Sequence, residues 1–267
     1  MAKNVVRKLF GKREKAQPLP PPPLPDAIEA IRQKALRGYH LEQVLWGQTL
    51  LDSIYVPRDP HQALIWFTMA ANAGYGPAHN MLGRCAHFGW GCEKNLQKAA
   101  QHYEAAAALG DEWGRYNLGI LTMRGIGMPQ NLKRALHLFQ TAAQNGHAKS
   151  MNILARFLEE GWEIPQDRQA ALAWYKRSAE GGDYRGQHNY ATALAEAGKT
   201  EEALHWWAQA LPDATSDILL AMNRSLTRLG PEKAPELYAA LQERLQSLPQ
   251  PENQATKQPS NQATKPV

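Results

Sequence analysis

The chain has 267 residues, 43% of them hydrophobic and 21% charged, enough apolar material for one or two packed domains. A mean hydropathy of −0.52, with no apolar run near the ~18 residues of a bilayer span, excludes a helical membrane-spanning protein. The formal charge of +5 is confined to residues 1–15, where Lys3, Arg7, Lys8, Lys12, Arg13 and Lys15 stand against Glu14; the balanced remainder is a poor polyanion binder, so nucleic acid is not an expected partner.

In chain order, residues 1–25 form a basic and proline-rich arm expected to be disordered. Its apolar residues Val5, Val6, Leu9 and Phe10 are interrupted by Arg7 and Lys8, so no secretory signal is formed. With no spanning segment either, a cytoplasmic location is expected. The arm reads as a solvated tail, or as a weak contact with an anionic membrane or an acidic partner. The run Pro18–Pro25 is a polyproline II spacer, with the spacing of an aromatic-groove ligand as its other reading. Residues 26–249 are the structured body. Residues 250–267 are polar, contain Asn-Gln-Ala-Thr-Lys twice, and are expected to be a disordered tail.

A 36-residue period governs the body, because Gly38, Gly74, Gly110, Gly146 and Gly182 recur at that interval. Eight positions on stand Trp46-Gly47, Leu82-Gly83, Leu118-Gly119, Leu154-Ala155 and Tyr190-Ala191. Later in each unit come Trp66-Phe67, His102-Tyr103, Leu138-Phe139 and Trp174-Tyr175, then Ala70-Ala71, Ala106-Ala107, Ala142-Ala143 and Ser178-Ala179. Small residues within helical patterns imply that a second helix crosses closely. Asp59, Asn95, Asn131 and Asp167 each precede an apolar run and read as N-caps; the periodic glycines read as left-handed helix ends. Each unit is therefore an A helix, a loop, a B helix and a tight turn. A capping helix is expected over 26–37. A helices are expected near 40–52, 77–88, 113–124, 149–160 and 185–197, and B helices near 60–73, 96–109, 132–145, 168–181 and 200–211. The repeats run over about 38–73, 74–109, 110–145, 146–181 and 182–211. A final pair over 214–247 follows, with Pro231 starting its second helix. One such pair cannot bury its apolar face alone, so an all-α right-handed solenoid is expected.

The third unit carries Tyr116-Asn117-Leu118-Gly119, Gly125-Ile126-Gly127-Met128 and Asn131-Leu132-Lys133-Arg134-Ala135. Gly89-Trp90-Gly91-Cys92 matches the loop motif, and Val56-Pro57-Arg58-Asp59 and Ile164-Pro165-Gln166-Asp167 match the segment before the next cap. In these residues the chain resembles the Sel-one-like repeats, relatives of the tetratricopeptide repeats, over about Gly38–Leu211. Ser53, Tyr55 and Glu163 stand where loop glycines belong, and the fifth loop is shortened. The resemblance implies a non-enzymatic scaffold or adaptor that binds peptides or proteins, often in bacteria.

No phosphate-binding loop or zinc-binding helix motif is present. His87 and His102 are the nearest candidates for a histidine pair across a helix hairpin; the scattered histidines otherwise read as solvated or core residues, and no metal or cofactor is expected. Cys92 occupies an apolar loop position and reads as core, with a bridge to Cys85 as the less favoured reading. Trp66, Trp174 and Trp206 read as B-helix core. With no nucleophile, base and orienting group converging, no enzyme activity is expected. If tetratricopeptide geometry carries over, the concave face presents Asn80, Arg84, His87 and Phe88 in the second repeat and Trp113, Tyr116, Met123 and Arg124 in the third. It presents Lys149, Asn152, Arg156, Glu159 and Glu160 in the fourth, and Arg185, His188 and Thr192 in the fifth. Arginines, aromatics and amides on one face suit a protein segment with an acidic group. The other reading is a membrane-surface adaptor docked by the basic arm.

Overall fold

A computed structural model describes residues 23–248; the basic arm, the start of the proline run and the polar tail lie outside the described residues. Among the described residues there are thirteen α-helices and no strand. A first helix, α1 (Asp26–Leu36), is followed by five pairs: α2 (His40–Asp52) with α3 (Pro60–Asn72), α4 (Gly76–Phe88) with α5 (Leu96–Ala108), α6 (Glu112–Arg124) with α7 (Leu132–Gln144), α8 (Ala148–Glu160) with α9 (Arg168–Glu180), and α10 (Tyr184–Glu196) with α11 (Thr200–Ala210). A final pair, α12 (Ser216–Leu229) and α13 (Pro235–Gln246), completes the fold.

The second helix of each of the first four pairs starts on its side-chain cap. Asp59, Asn95, Asn131 and Asp167 accept the backbone N–H of Gln62, Lys98, Arg134 and Ala170 at 2.8–2.9 Å. Each of these helices ends on a left-handed glycine, Gly74, Gly110, Gly146 or Gly182. At the first of these ends, Tyr75 N–H donates to Ala70 C=O and Gly74 N–H to Ala71 C=O, which satisfies two orphan carbonyls. Three caps have no counterpart in the sequence reading. Asp111, His147 and Asp183 open α6, α8 and α10 by accepting from Gly114, Ser150 and Gly186.

The small residues in α2, α4 and α6 face aromatic rings of the paired helix. A Cβ at Gly47, Gly83 or Gly119 would stand 2.5–2.7 Å from Phe67, Tyr103 or Phe139. These rings and their counterparts Tyr175 and Trp207 are the deeply buried members of each aromatic pair. This corrects the expectation for Trp66, Trp174 and Trp206, which lie only half-buried on the core's flank. The second loop glycines join neighbouring repeats. A Cβ at Gly91 would meet the Pro60 carbonyl oxygen at 2.2 Å, and one at Gly127 would meet that of Leu96 at 2.5 Å. Ser53 and Glu163 take left-handed backbone without being glycine, at φ 60° and 56°.

Consecutive helices pack on one another from α1 to α11, while α12 packs on α10 and α13. The first helices of successive repeats also touch directly, in the pairs α2–α4, α4–α6, α8–α10 and α10–α12, so they line one side of an all-α repeat solenoid. The final pair departs from expectation at Pro231, which opens a short 3-10 turn over Pro231–Lys233 instead of α13. Pro235 sets the helix start. The residue before a proline is pushed out of the α region, and Ala234 stands at φ −151°.

Candidate functional site

The face lined by α4 and α6 contains a cleft of about 520 Å³. Among its walls are Asn80, Arg84, His87, Phe88 and Trp113, five of the side chains the repeat register selects, together with Gln48, Met81, Asn117 and Ile120. Phe88 and Trp113 are 56% and 50% exposed and present their apolar rings to this one cleft. Phe88 stacks on Trp90 at 4.9 Å and meets His87 at 4.6 Å. The Arg84 guanidinium lies over Trp90, 5.1 Å from the ring centroid, and donates to the Met81 sulfur at 3.7 Å. No carboxylate pairs with it among the described residues. Burial, helped by Lys94, holds His87 below the ordinary histidine pKa. Its ring therefore adds little positive charge near neutral pH.

A second recess of about 390 Å³ is lined by Met123, Arg124, Gln130, Ile153, Arg156 and Trp162. Here Arg156 lies over Trp162 at 5.5 Å. Trp113 and Tyr116 enclose His147, with ring centroids 4.7 and 5.1 Å from the imidazole. Lys149 sits over Trp113 at 5.8 Å and over Tyr184 at 5.5 Å. Tyr116 is half-buried, and its hydroxyl pKa is raised, first by burial and then by Asp183.

Three expected groove residues are committed elsewhere. Asn152 is only 3% exposed and accepts from Asn189 at 2.8 Å. His188 is 7% exposed and accepts the Trp207 indole N–H at 3.2 Å, so it belongs to the core of the last repeat. Arg185 pairs with Asp217 at 3.3 Å and also donates to the Tyr184 hydroxyl. Asn152 is thus joined to α10, while the fifth repeat turns His188 toward α11 and Arg185 toward α12. Residues that register alone did not select include Trp90, Asn117 and Trp162. Their signal was available, because each tryptophan follows an arginine by six positions in its unit.

His87 and His102, the nearest candidates for a histidine pair, do not meet. His102 meets His79 instead, Nδ1 to Nδ1 at 3.4 Å across α4 and α5. No cluster of three or more metal-ligating side chains occurs among the described residues. Both cysteines carry free thiols; Cys85 is buried, which pushes its pKa up to about 12, and Cys92 packs half-buried against the first core cluster. No described helix is long and apolar enough to cross a membrane.

Paired helices stacked on a fixed register, with one face carrying aromatic and basic side chains, define an α-solenoid repeat protein. The family model for the Sel1 repeat matches residues 43–75, 76–111, 114–147 and 148–183, more than half of the chain, and the chain belongs to that family. Such repeats generally serve as protein–protein interaction scaffolds and are typically non-catalytic. The fold is similar to a Sel1 repeat protein from Oxalobacter formigenes, with a TM-score of 0.69, 21% identity, and coverage of 82% of this chain and 98% of that one. It is also similar to c5321, a protective antigen of uropathogenic Escherichia coli, at TM-score 0.62 and 23% identity over 82% of this chain; that match spans 49% of the antigen structure. The immunity protein PA5088 from Pseudomonas aeruginosa is similar at TM-score 0.53 and 17% identity, over 84% of each chain. No curated protein matches the sequence.

Proposed function

We propose that this protein is a non-catalytic scaffold that holds a segment of a partner protein against α4 and α6. The observation that carries the reading is the cleft itself. Phe88 and Trp113 expose apolar rings around Arg84, a guanidinium without a carboxylate partner among the described residues. Aromatic and arginine side chains set together in a recess are the composition of binding hot spots. The arginine would accept a carboxylate in a planar, two-bond contact, while the rings take up apolar side chains beside it.

The test is Phe88→Ala combined with Trp113→Ala, followed by capture of partners from lysate of the native host. Captured proteins should fall at least several-fold, because truncating a hot-spot residue costs about 2 kcal/mol or more. Helicity by circular dichroism should not change, since both rings are half exposed. Unchanged capture by this variant would move the contact to another face. A second reading, docking of the scaffold on an anionic membrane, rests on the confinement of the formal charge of +5 to residues 1–15. Vesicle sedimentation with and without that arm checks it.

A further inference from the structure

The fold requires recurrence every 36 residues, yet four residues at or beside the cleft recur at 72, while His87, Phe88 and Trp113 give way to Glu159, Glu160 and Arg185. Asn80, Arg84, Trp90 and Asn117 reappear two repeats later as Asn152, Arg156, Trp162 and Asn189. The intervening third repeat has Tyr116, Ile120 and Ile126 at the first three of these positions, and the first repeat has Val44, Gln48 and Ile54. The geometry recurs with the residues. Asn117 Nδ2 donates to Asn80 Oδ1 at 2.8 Å, and Asn189 Nδ2 to Asn152 Oδ1 at 2.8 Å. Arg84 lies 5.1 Å above Trp90, and Arg156 lies 5.5 Å above Trp162. Helix packing alone does not call for this alternation, since Ile120 serves equally well at the arginine position in the third repeat.

Each unit presents the same chemistry. An indole lies over one face of the guanidinium and leaves its planar set of donors available for a two-bond contact. Neither arginine forms an ion pair among the described residues. Glu159, one turn from Arg156, instead accepts the Tyr175 hydroxyl at 2.7 Å. Arg124 lines the recess beside Arg156, and that lining holds two guanidinium groups and no carboxylate, with Glu160 one turn further along α8.

Resting on the groove reading above, we propose that the two Arg–Trp units are equivalent subsites for two carboxylates of one extended acidic segment of a partner protein. Their spacing sets the ligand. Packed helices lie 8–10 Å apart, and α6 stands between α4 and α8, so the subsites are roughly 20 Å apart. An extended chain advances about 3.3 Å per residue, which puts the two acids about six residues apart.

The probes are fluorescein-labelled Gly/Ser peptides with two aspartates at separations of two, six or twelve residues, and a peptide with one aspartate, titrated into the full chain by fluorescence anisotropy. The six-residue spacing should bind best, and better than the single-aspartate peptide by about tenfold or more, because the second contact forms at high effective concentration. Arg84→Gln and Arg156→Gln should each remove that advantage to a similar extent. Arg84→Lys should restore it only in part, because a point charge cannot form the two-bond contact. Equal binding at all spacings, or loss with only one of the two arginines, would overturn the proposal. If no acidic peptide binds while partner capture still depends on Phe88 and Trp113, the paired subsites fail and the groove reading survives. If capture is also indifferent to those rings, the groove reading fails with them.

Discussion

At the scale of single residues, the most constrained positions are those without room for a methyl group. Gly83 lies against Tyr103, so the added Cβ of Gly83→Ala would stand 2.5 Å from the ring. The ring is buried and cannot swing away cheaply, and urea denaturation should register a loss of about 1–3 kcal/mol despite alanine's better helix propensity. A gain in stability would mean that the two helices are not held at that distance. Histidine chemistry gives a second residue-scale expectation. His147 caps α8 through Nδ1, which must be unprotonated to accept from Ser150 N–H, and burial lowers its pKa to about 4. In the unfolded chain a histidine titrates near 6.5, so between pH ~6.5 and ~4 the unfolded state binds more protons. The contribution of His147 is therefore complete above about pH 6.5 and is lost as the pH falls. His188, also lowered to about 4 by burial, acts with the same sign. Asp111 and Asp183 are raised by burial and oppose the trend toward the acid end, so pH 7 and pH 5 are the informative comparison. His147→Asn keeps a capping acceptor without a titrating ring, and it should shrink the stability difference between those pH values by roughly 1 kcal/mol, after discounting for the solvent that reaches the ring. An unchanged difference would remove His147 as a source of the acid sensitivity.

At the scale of the helix pair, the loop between the two helices decides how closely repeats can stack. Gly91 has φ +70°, and its missing side chain leaves space for the Pro60 carbonyl of the preceding repeat. Gly91→Ala should therefore cost more than the ~1–2 kcal/mol of left-handed backbone alone. Two repeats later the same position holds Glu163 at φ 56°. Glu163→Gly should stabilise the protein by up to about 1 kcal/mol, because glycine adopts that backbone without the Cβ penalty. Thermal denaturation of the two variants should give shifts of opposite sign, and shifts of the same sign would refute the shared loop geometry. This element was also the most legible part of the sequence. Glycines 36 residues apart, together with Asp59, Asn95, Asn131 and Asp167, located both ends of the four helices α3, α5, α7 and α9 to within a residue or two. The signals are local, since a cap needs only its own turn. Pro231 misled because a second proline at position 235 competes for the same role, and local pattern cannot rank them. The cleft was legible in part for a related reason. Register selected Arg84, Phe88 and Trp113, but whether a side chain is free depends on neighbours in the paired helix and in adjacent repeats. His188 is spent on Trp207 of the paired α11 and Arg185 on Asp217 of α12, contacts that the register of the first helix alone does not encode.

At the scale of the whole molecule, each helix pair meets only its neighbours, and the core divides accordingly. Buried residues form four separate clusters, the last of which joins Tyr175, Tyr190, Leu194 and Trp207 to Leu219, Met222, Leu226 and Leu241 of the terminal pair. A structure coupled only through neighbours should lose stability locally when an end is removed. Truncation after Asp213 deletes α12 and α13 and exposes the last repeat on one side. Each large apolar side chain left uncovered forfeits roughly 1.5–3 kcal/mol, so α10 and α11 should open readily. The cleft lies farther away: its walls come from α2, α4, α5 and α6, and none of its lining residues belongs to the last cluster. Hydrogen exchange on the truncated chain should then show protection collapsing in α10 and α11, declining in α8 and α9, and persisting in α4 to α6. Binding of the partner segment at Arg84 should outlast binding at Arg156, which lies closer to the cut. A uniform loss of protection along the chain would instead mark the solenoid as one cooperative unit, and both arginine sites would then fail together.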